Sequence, residues 1–445
     1  MGFFLGIDIG TTKAAVVVYE PDTGSLLAAA SQATRAACPV PLPGADEQNP
    51  NSIISVLQKL CAKIPAELLS SIEGIGITGQ MHGVTLRKDD GSLSNLITWR
   101  DRRASFDGSL PKLAAKPGCS GLSDGFGLTS LAWLASKKLL TSEWVAAATI
   151  QDILAMELCG LTRPMTDYCD AASWGLFDLQ KIDWNRKAIK ALDIPERLLP
   201  DLRPPGAKAG FLCRKWAKKL RLEAGTPVMV ATGDNQASLF ATEKNPEREL
   251  YLTVGTGAQL SIVLSEEEAF SRPLPKGVEL RPYFGGRVIV VSATLCGGES
   301  FAWLVKSMHG VLRDFGVSIP KETETYKRLD ELAMRSLNSG LRFSPSFIGE
   351  RHDHSLRGSI NGMRLDNFNA GALAASMAEG IFRNMKELMP AWAFEGRDRI
   401  IASGNALRRL LILQTQARRI FKVPLTIPET CEEAACGAAK LAAQV

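Results

Sequence analysis

Asp8 is a carboxylate inside an apolar run, Leu5-Gly6-Ile7-Asp8-Ile9, followed at once by Gly10-Thr11-Thr12-Lys13 and the β-branched run Val16-Val17-Val18. Ile7 and Ile9 alternate around Asp8, so 5–18 reads as a hairpin of two buried strands with a polar turn. A buried carboxylate is costly unless something pairs with it, and a bound cation is the partner that suits this pattern. A structural hydrogen-bond acceptor is the other reading of Asp8. Gly10 lets the backbone turn, while Thr11, Thr12 and Lys13 offer amides, hydroxyls and an ammonium to an anion. The same grammar returns at 249–264, where Gly255-Thr256-Gly257 separates two apolar arms. Two phosphate-type hairpins half a chain apart predict a duplicated architecture, each half presenting one loop to a shared cleft.

Asp234 follows a compact apolar strand at 227–232 and precedes a helix, in Gly233-Asp234-Asn235-Gln236. Aspartate is favoured as a helix N-cap at such a junction. A carboxylate at a strand's end beside a cleft can also accept a hydroxyl proton during phosphoryl transfer, and the two hairpins favour that reading. Gln80, Met81 and His82 lie in a loop bounded by Gly79 and Gly83. His82 reads as a structural histidine or, with Gln80, as a donor to polyol hydroxyls, which need convergent polar groups among apolar walls. Trp99, beside Arg100-Asp101-Arg102-Arg103, is a ligand-facing aromatic or a core tryptophan next to a solvated charge run. Gly297-Gly298 and Ser403-Gly404-Asn405 open helices, where glycine either admits a flat or anionic ligand or makes a tight turn. The first hairpin lacks the G-x-G-x-x-G pattern and no helix follows it directly, which argues against a dinucleotide-dependent dehydrogenase.

Several elements must position these groups. A turn at 21–24 and a strand at 26–30 extend the first hairpin into a meander. Residues 51–64 carry Ile53, Ile54, Leu57, Leu60, Cys61 and Ile64 at helical spacing. A strand through Ile75 and Ile77 leads into the Gln80 loop, and 84–86 with 96–99 forms a further hairpin. Helices are expected at 130–140 and 150–158, and 161–175 reads as a functional loop rich in aromatic and carboxylate groups. The chain divides near 242 into an N-terminal domain, 1–242, and a C-terminal domain, 243–445. In the second, a strand at 288–292, a helix from Gly298, a long helix at 371–389 stopped by Pro390, a strand at 399–402 and a helix at 407–421 follow in turn. Thr430 and Glu433 form a capping box for the last helix.

Composition narrows the class. The chain has 445 residues, 45% apolar and 22% charged, enough for two separately cored domains. A net charge of +5, with no basic block interleaved with aromatics, speaks against nucleic acid. No apolar run reaches the roughly 20 residues of a membrane span, and the N-terminus enters a strand directly, so a cytoplasmic protein is expected. Nine cysteines show no metal-ligand spacing and read as reduced, mostly buried thiols.

Together these residues resemble the FGGY carbohydrate kinases, of the actin-like, hexokinase-like ATPase superfamily, over nearly the whole chain. The resemblance implies an α/β fold of two duplicated ribonuclease H-like domains flanking a central cleft. Asp8 with Gly10-Thr11-Thr12-Lys13 is similar to the first phosphate motif and Gly255-Thr256-Gly257 to the second. Gly298, Gly404, Asn405 and Arg408 fall in the nucleotide region, and Ser403 departs from the commoner pattern, in which a second glycine is found. Phe347 to Arg351, with Arg357 and Gly358, resembles a further signature. By the same resemblance Asp234 is the catalytic base, and Gln80, Met81, His82, Trp99, Asp234 and Asn235 contact the sugar. ATP and Mg²⁺, the latter held near Asp8 through water, are the implied cofactors. The Gln80-Met81-His82 loop resembles that of ketose kinases acting on xylulose or sedoheptulose, and the stretch 159–175, with the variant ending at His352, looks more like those acting on sedoheptulose. The implied reaction phosphorylates a ketose at its terminal primary hydroxyl as domain closure excludes water, in a monomer or homodimer without nucleic-acid or membrane partners. A non-enzymatic ATP-dependent switch or a sugar sensor on the same architecture is the competing class.

Overall fold

A computed structural model of the protein describes residues 2–255, 257–350, 353, 355–429 and 432–444. Two compact units emerge. Unit 1 comprises Met1–Thr242, Arg281–Gly285 and Thr430–Val445; unit 2 comprises Glu243–Leu280 and Gly286–Glu429.

Unit 1 is built on a seven-stranded sheet. Phe3–Ile9, Lys13–Glu20 and Ser25–Ala33 form an antiparallel meander. On its other side Phe3–Ile9 pairs in parallel with Ile72–Gly79, which in turn pairs in parallel with Pro227–Met229 and Thr232–Gly233. Leu5, Ile7 and Ile9 point into a core shared with Ile53, Leu57 and Leu60 of the helix Pro50–Cys61 and Ile153 and Leu154 of Ile150–Cys159. The first helix starts where it does because the Asn49 side chain accepts from Ser52 N and Pro50 occupies the first turn. On the sheet's opposite face packs the C-terminal helix Glu433–Ala442, and only glycine allows this approach. A Cβ on Gly6 would lie 1.9 Å from the Ala435 carbonyl oxygen, and one on Gly76 1.9 Å from that of Ala438. This helix, which falls in 243–445 of the sequence, packs as part of unit 1, its small-residue stripe docking on the first sheet.

Unit 2 repeats the plan with six strands. Glu249–Val254, Ala258–Ser265 and Arg287–Thr294 form an antiparallel meander. Glu249–Val254 pairs in parallel with Arg399–Ser403, and that strand with Leu425–Thr426. The long helix Ala370–Leu388 buries Ala374, Met377, Ala378, Ile381 and Met385 in the core beneath this sheet.

Three sequence expectations change. The strand Thr85–Lys88 forms its ladder with Trp144–Ala148, while the expected hairpin partner meets it only through bridges such as Val84 to Ile97. The stretch 161–175, read as a loop, contains the strand Met165–Asp167 and the helix Tyr168–Ser173, capped by Asp167, which accepts from Asp170 N at 2.8 Å. Its buried aspartates break the apolar periodicity by which a helix is recognised. The expected helix at 407–421 is two, Asn405–Arg409 and Leu411–Phe421, interrupted at Leu410, whose backbone is extended. Of the expected capping box, Thr430 lies outside the described residues. Among the described residues no helix is long and apolar enough to cross a membrane.

Candidate active site

Sheet register sets the central geometry in unit 1. Asp8 pairs with Thr78, and Thr78 with Thr232, so the three share one row across adjacent strands. At the usual strand spacing, Asp8 stands roughly 10 Å from Thr232. Two residues beyond Thr232, Asp234 opens the helix Asp234–Thr242. The Thr78 hydroxyl donates to the Thr232 carbonyl at 2.9 Å and ties these strand ends together.

Three carboxylates gather here, with Lys13 and Arg281 as opposing charges. Asp8 Oδ1 is closed off from solvent and has no hydrogen-bond partner. Burial, then the negative charges of Asp234 and Glu432, hold the Asp8 carboxyl well above the usual carboxylate range, against a smaller pull from Lys13. Burial also pushes the Asp234 carboxyl up to about 6, opposed by the backbone N–H groups of Asn235 and of Asp234 itself and by the Arg281 charge. Lys13, expected to face an anion, instead forms a 2.7 Å ion pair with Glu432. An orphaned carboxylate oxygen flanked by two further carboxylates fits a divalent cation. Among the described residues no set of three acidic, histidine or cysteine side chains could chelate one directly, so the fit is to a largely hydrated ion touching Asp8.

The predicted polyol loop lies beside this row. Gln80 continues the strand, its N–H donating to the Ile9 carbonyl at 2.9 Å, and its amide accepts from Thr11 Oγ1 at 3.1 Å. The Trp99 indole N–H donates to the same Thr11 hydroxyl at 2.9 Å; this tryptophan is 39% exposed, and the Arg100 guanidinium lies over its ring at 4.9 Å. Met81 is buried next to Gly233, where an added Cβ would come 2.7 Å from its sulfur. His82 adopts a positive φ of 72°, stacks on Phe126 at 5.0 Å, and has Nδ1 2.6 Å from the Ser173 carbonyl oxygen. A carbonyl only accepts, so Nδ1 carries a proton and donates it to Ser173. Asn235 follows Asp234 in the first turn of the same helix.

Beneath the loop lie three aspartates that sequence reasoning missed. Asp152, Asp167 and Asp170 are fully buried. Burial raises all three, Asp167 to about 6, and Asp170 is raised further by the charges of Asp152, Asp167 and Asp234. Gln151 Nε2 donates to Asp170 at 2.9 Å. The visible signal was the carboxylate density of 161–175. Glu432, Arg281, Gln48 and Ser173 were also missed, and nothing local in their sequence surroundings marks them.

Unit 2 gathers the other predicted residues. Gly255 N donates to Gly257 O at 3.0 Å, closing the second turn, and Gly298 N donates to Gly255 O at 2.8 Å. A Cβ on Gly298 would stand 2.6 Å from the Gly255 carbonyl oxygen, and one on Gly404 2.3 Å from that of Val254. The two glycine-rich helix starts therefore converge on the second turn, with Gly404 at φ 101°. Asn405 and Arg408 lie exposed in the short helix beyond, where Arg408 Nη1 donates to the Pro428 carbonyl at 2.7 Å. Ser403, the departure from the glycine pattern, lies 2.9 Å from the Thr253 hydroxyl, oxygen to oxygen. The buried Glu350 accepts from Leu295 N at 3.1 Å and so braces the turn leading to Gly298. Thr256, Arg351 and His352 lie outside the described residues.

Models of the N-terminal and C-terminal domains of the FGGY family of carbohydrate kinases match residues 3–241 and 250–444. The chain belongs to this family, and is a phosphotransferase with an alcohol group as acceptor on the two-domain, actin-like α/β fold. It is 31% identical to human sedoheptulokinase over 98% of this chain and 96% of that one. It is 25% identical to xylulose kinase from Lactococcus lactis over 94% and 83% of the two chains. The solved structure of ligand-bound xylulose kinase from Lactobacillus acidophilus matches it in fold with a TM-score of 0.80 at 22% identity, covering 100% of this chain and 89% of that one.

Proposed function

We propose that this carbohydrate kinase transfers the γ-phosphoryl group of ATP to the terminal primary hydroxyl of a ketose, sedoheptulose, giving sedoheptulose 7-phosphate and ADP. The observation that carries the chemistry is Asp234, a carboxylate pushed up to about 6 and close enough to Asp8, with its orphaned oxygen, to raise that carboxyl by its charge. The near full-length similarity to sedoheptulokinases supports the choice of ketose.

Asp234 accepts the hydroxyl proton while the sugar oxygen forms its bond to phosphorus and the bond from phosphorus to the bridging oxygen of ADP breaks. A base near 6 is ionised at neutral pH yet retains affinity for the proton. Gln80, Met81, His82, Trp99 and Asn235 orient the sugar. Gly10, Thr11 and Thr12 of the first turn, Gly255, Thr256 and Gly257 of the second, and Gly298, Gly404, Asn405 and Arg408 hold the nucleotide; Lys13 orders the first turn through Glu432. A Mg²⁺ at Asp8 would supply charge neutralisation on the phosphates.

The test is ATP-dependent phosphorylation of sedoheptulose, D-xylulose, D-ribulose, L-ribulose, D-fructose and glycerol, with Asp234→Asn as control. The expected result is highest kcat/KM for sedoheptulose, an acid limb near pH 6, and a loss of several orders of magnitude in the variant with sugar binding retained. Preference for xylulose would move the substrate within the family; near-normal turnover in folded Asp234→Asn would remove Asp234 from the mechanism.

A further inference from the structure

Three hydrogen bonds in unit 1 close a ring, with a fourth leading into it from Trp99, that neither the family match nor any single motif requires. The Trp99 indole donates to Thr11 Oγ1 at 2.9 Å; that hydroxyl donates to Gln80 Oε1 at 3.1 Å. Gln80 Nε2 donates to Gln48 Oε1 at 2.9 Å, and Gln48 Nε2 returns to the Thr11 backbone carbonyl at 2.7 Å. The sense of every bond is fixed by chemistry. An indole N–H can only donate, so the single Thr11 hydroxyl proton is turned to Gln80. This sets the Gln80 amide, which sets the Gln48 amide, which directs its N–H to a carbonyl that can only accept. Both glutamines are buried, at 2% and 6% exposure, where such a chain is strong and a broken link expensive.

The ring joins two functions in the ketose-kinase reading, on which this inference rests. Trp99 and Gln80 face the sugar, and the Thr11 carbonyl belongs to the first phosphate turn. Gln48, with the Thr34 hydroxyl at 3.1 Å, holds that carbonyl on one side. In a planar trans peptide the Thr12 N–H points the opposite way, so fixing the carbonyl fixes the direction of a phosphate-turn donor. We propose that Gln48 is a positioning residue that couples occupancy of the sugar pocket to the orientation of the first phosphate turn. It touches neither substrate. A ketose that holds Gln80 and Trp99 in place thereby also orders the turn, and each ligand should tighten the other by the same factor.

The experiment measures affinity for a non-hydrolysable ATP analogue by calorimetry, without and with saturating sedoheptulose or D-xylulose, in wild type, Gln48→Leu, Trp99→Phe and the double variant. In wild type the ketose is expected to tighten nucleotide binding by roughly tenfold, the size set by one or two retained hydrogen bonds. In Gln48→Leu that factor should fall to near one while both ligands still bind separately. Trp99→Phe keeps the aromatic face, removes only the N–H, and gives a second route should Gln48→Leu fold poorly. The double variant should lose no more coupling than either single one, because the ring acts as a unit. Retained coupling in both single variants, or additive losses in the double, would overturn the proposal while leaving the kinase reading intact. A wild type that phosphorylates none of the panel sugars would overturn the ketose reading, and this inference with it.

Discussion

In the first hairpin the residue two before the turn glycine is Asp8; in the second, Thr253 holds the same position before Gly255. The backbone around them is alike, each strand lying between an antiparallel partner and a parallel one, with Asp8 beside Thr78 and Thr253 beside Ser403. Their chemistry differs. Thr253 is hydrogen-bonded to Ser403, a neutral pair complete within the sheet. Asp8 has an orphaned oxygen and two carboxylates nearby, an arrangement suited to a cation. Duplication thus supplied two phosphate-type turns, and a single side-chain difference separates the one suited to a metal from the one closed by protein alone. The second turn differs in another way, being crowded by Gly298 and Gly404, where the first is shaped by Lys13 and Gln48.

The largest effect is expected from removing that difference. Asp8→Asn should lower kcat by about three orders of magnitude or more, as expected for loss of metal-assisted phosphate neutralisation, with the fold retained by circular dichroism. A kcat within a few-fold of wild type would erase the distinction between the hairpins. Next, Gly404→Ala places a Cβ against the Val254 carbonyl at a positive φ, and should cost about 1–3 kcal/mol in a thermal melt and weaken nucleotide binding more than sugar binding. Separate titrations of the two ligands read this out.

Asp234 yields a comparable stability change of opposite sign. Its carboxyl titrates at about 6 in the folded protein and at 3.8 ordinarily. As pH rises from about 4 to 6 the unfolded chain releases this proton first, so the group removes stability across that window, with a ceiling of about 3 kcal/mol fully lost above it. Asp234→Asn should therefore raise the melting temperature at pH 7 and leave it little changed near pH 3, while abolishing turnover. A variant less stable at pH 7 than wild type would show that the carboxylate is held by favourable contacts instead. The smallest effect belongs to Thr253→Val, expected to cost about 1 kcal/mol for its hydrogen bond and to alter kcat less than about threefold. A large loss there would mean that the second hairpin also bears directly on the chemistry.

Much of this architecture was legible in the chain. Alternation around Asp8, helical spacing through Ile53 and Leu60, and glycines at 10, 255 and 404 are local patterns, and local patterns survive into strands, helices and turns because they satisfy the backbone over a few residues. Asp8 and Asp234 stood out for the same reason, as carboxylates at positions where an apolar or turn residue was expected. The hidden aspartates Asp167 and Asp170 show the limit of this signal, since the short buried helix Tyr168–Ser173 carries no apolar stripe to betray it. Contacts between distant segments are set by sheet register and helix docking. Lys13 meets Glu432 across 419 positions of sequence because Gly6 and Gly76 let the last helix lie directly on the first sheet. Gln48 reaches the Thr11 carbonyl across 37 positions, and His82 Nδ1 meets the Ser173 carbonyl across 91. Residue type and spacing alone therefore determined which groups could do chemistry. The tertiary structure decided which are paired, which are orphaned and which way their protons point, because those depend on partners that only long-range packing brings within hydrogen-bond distance.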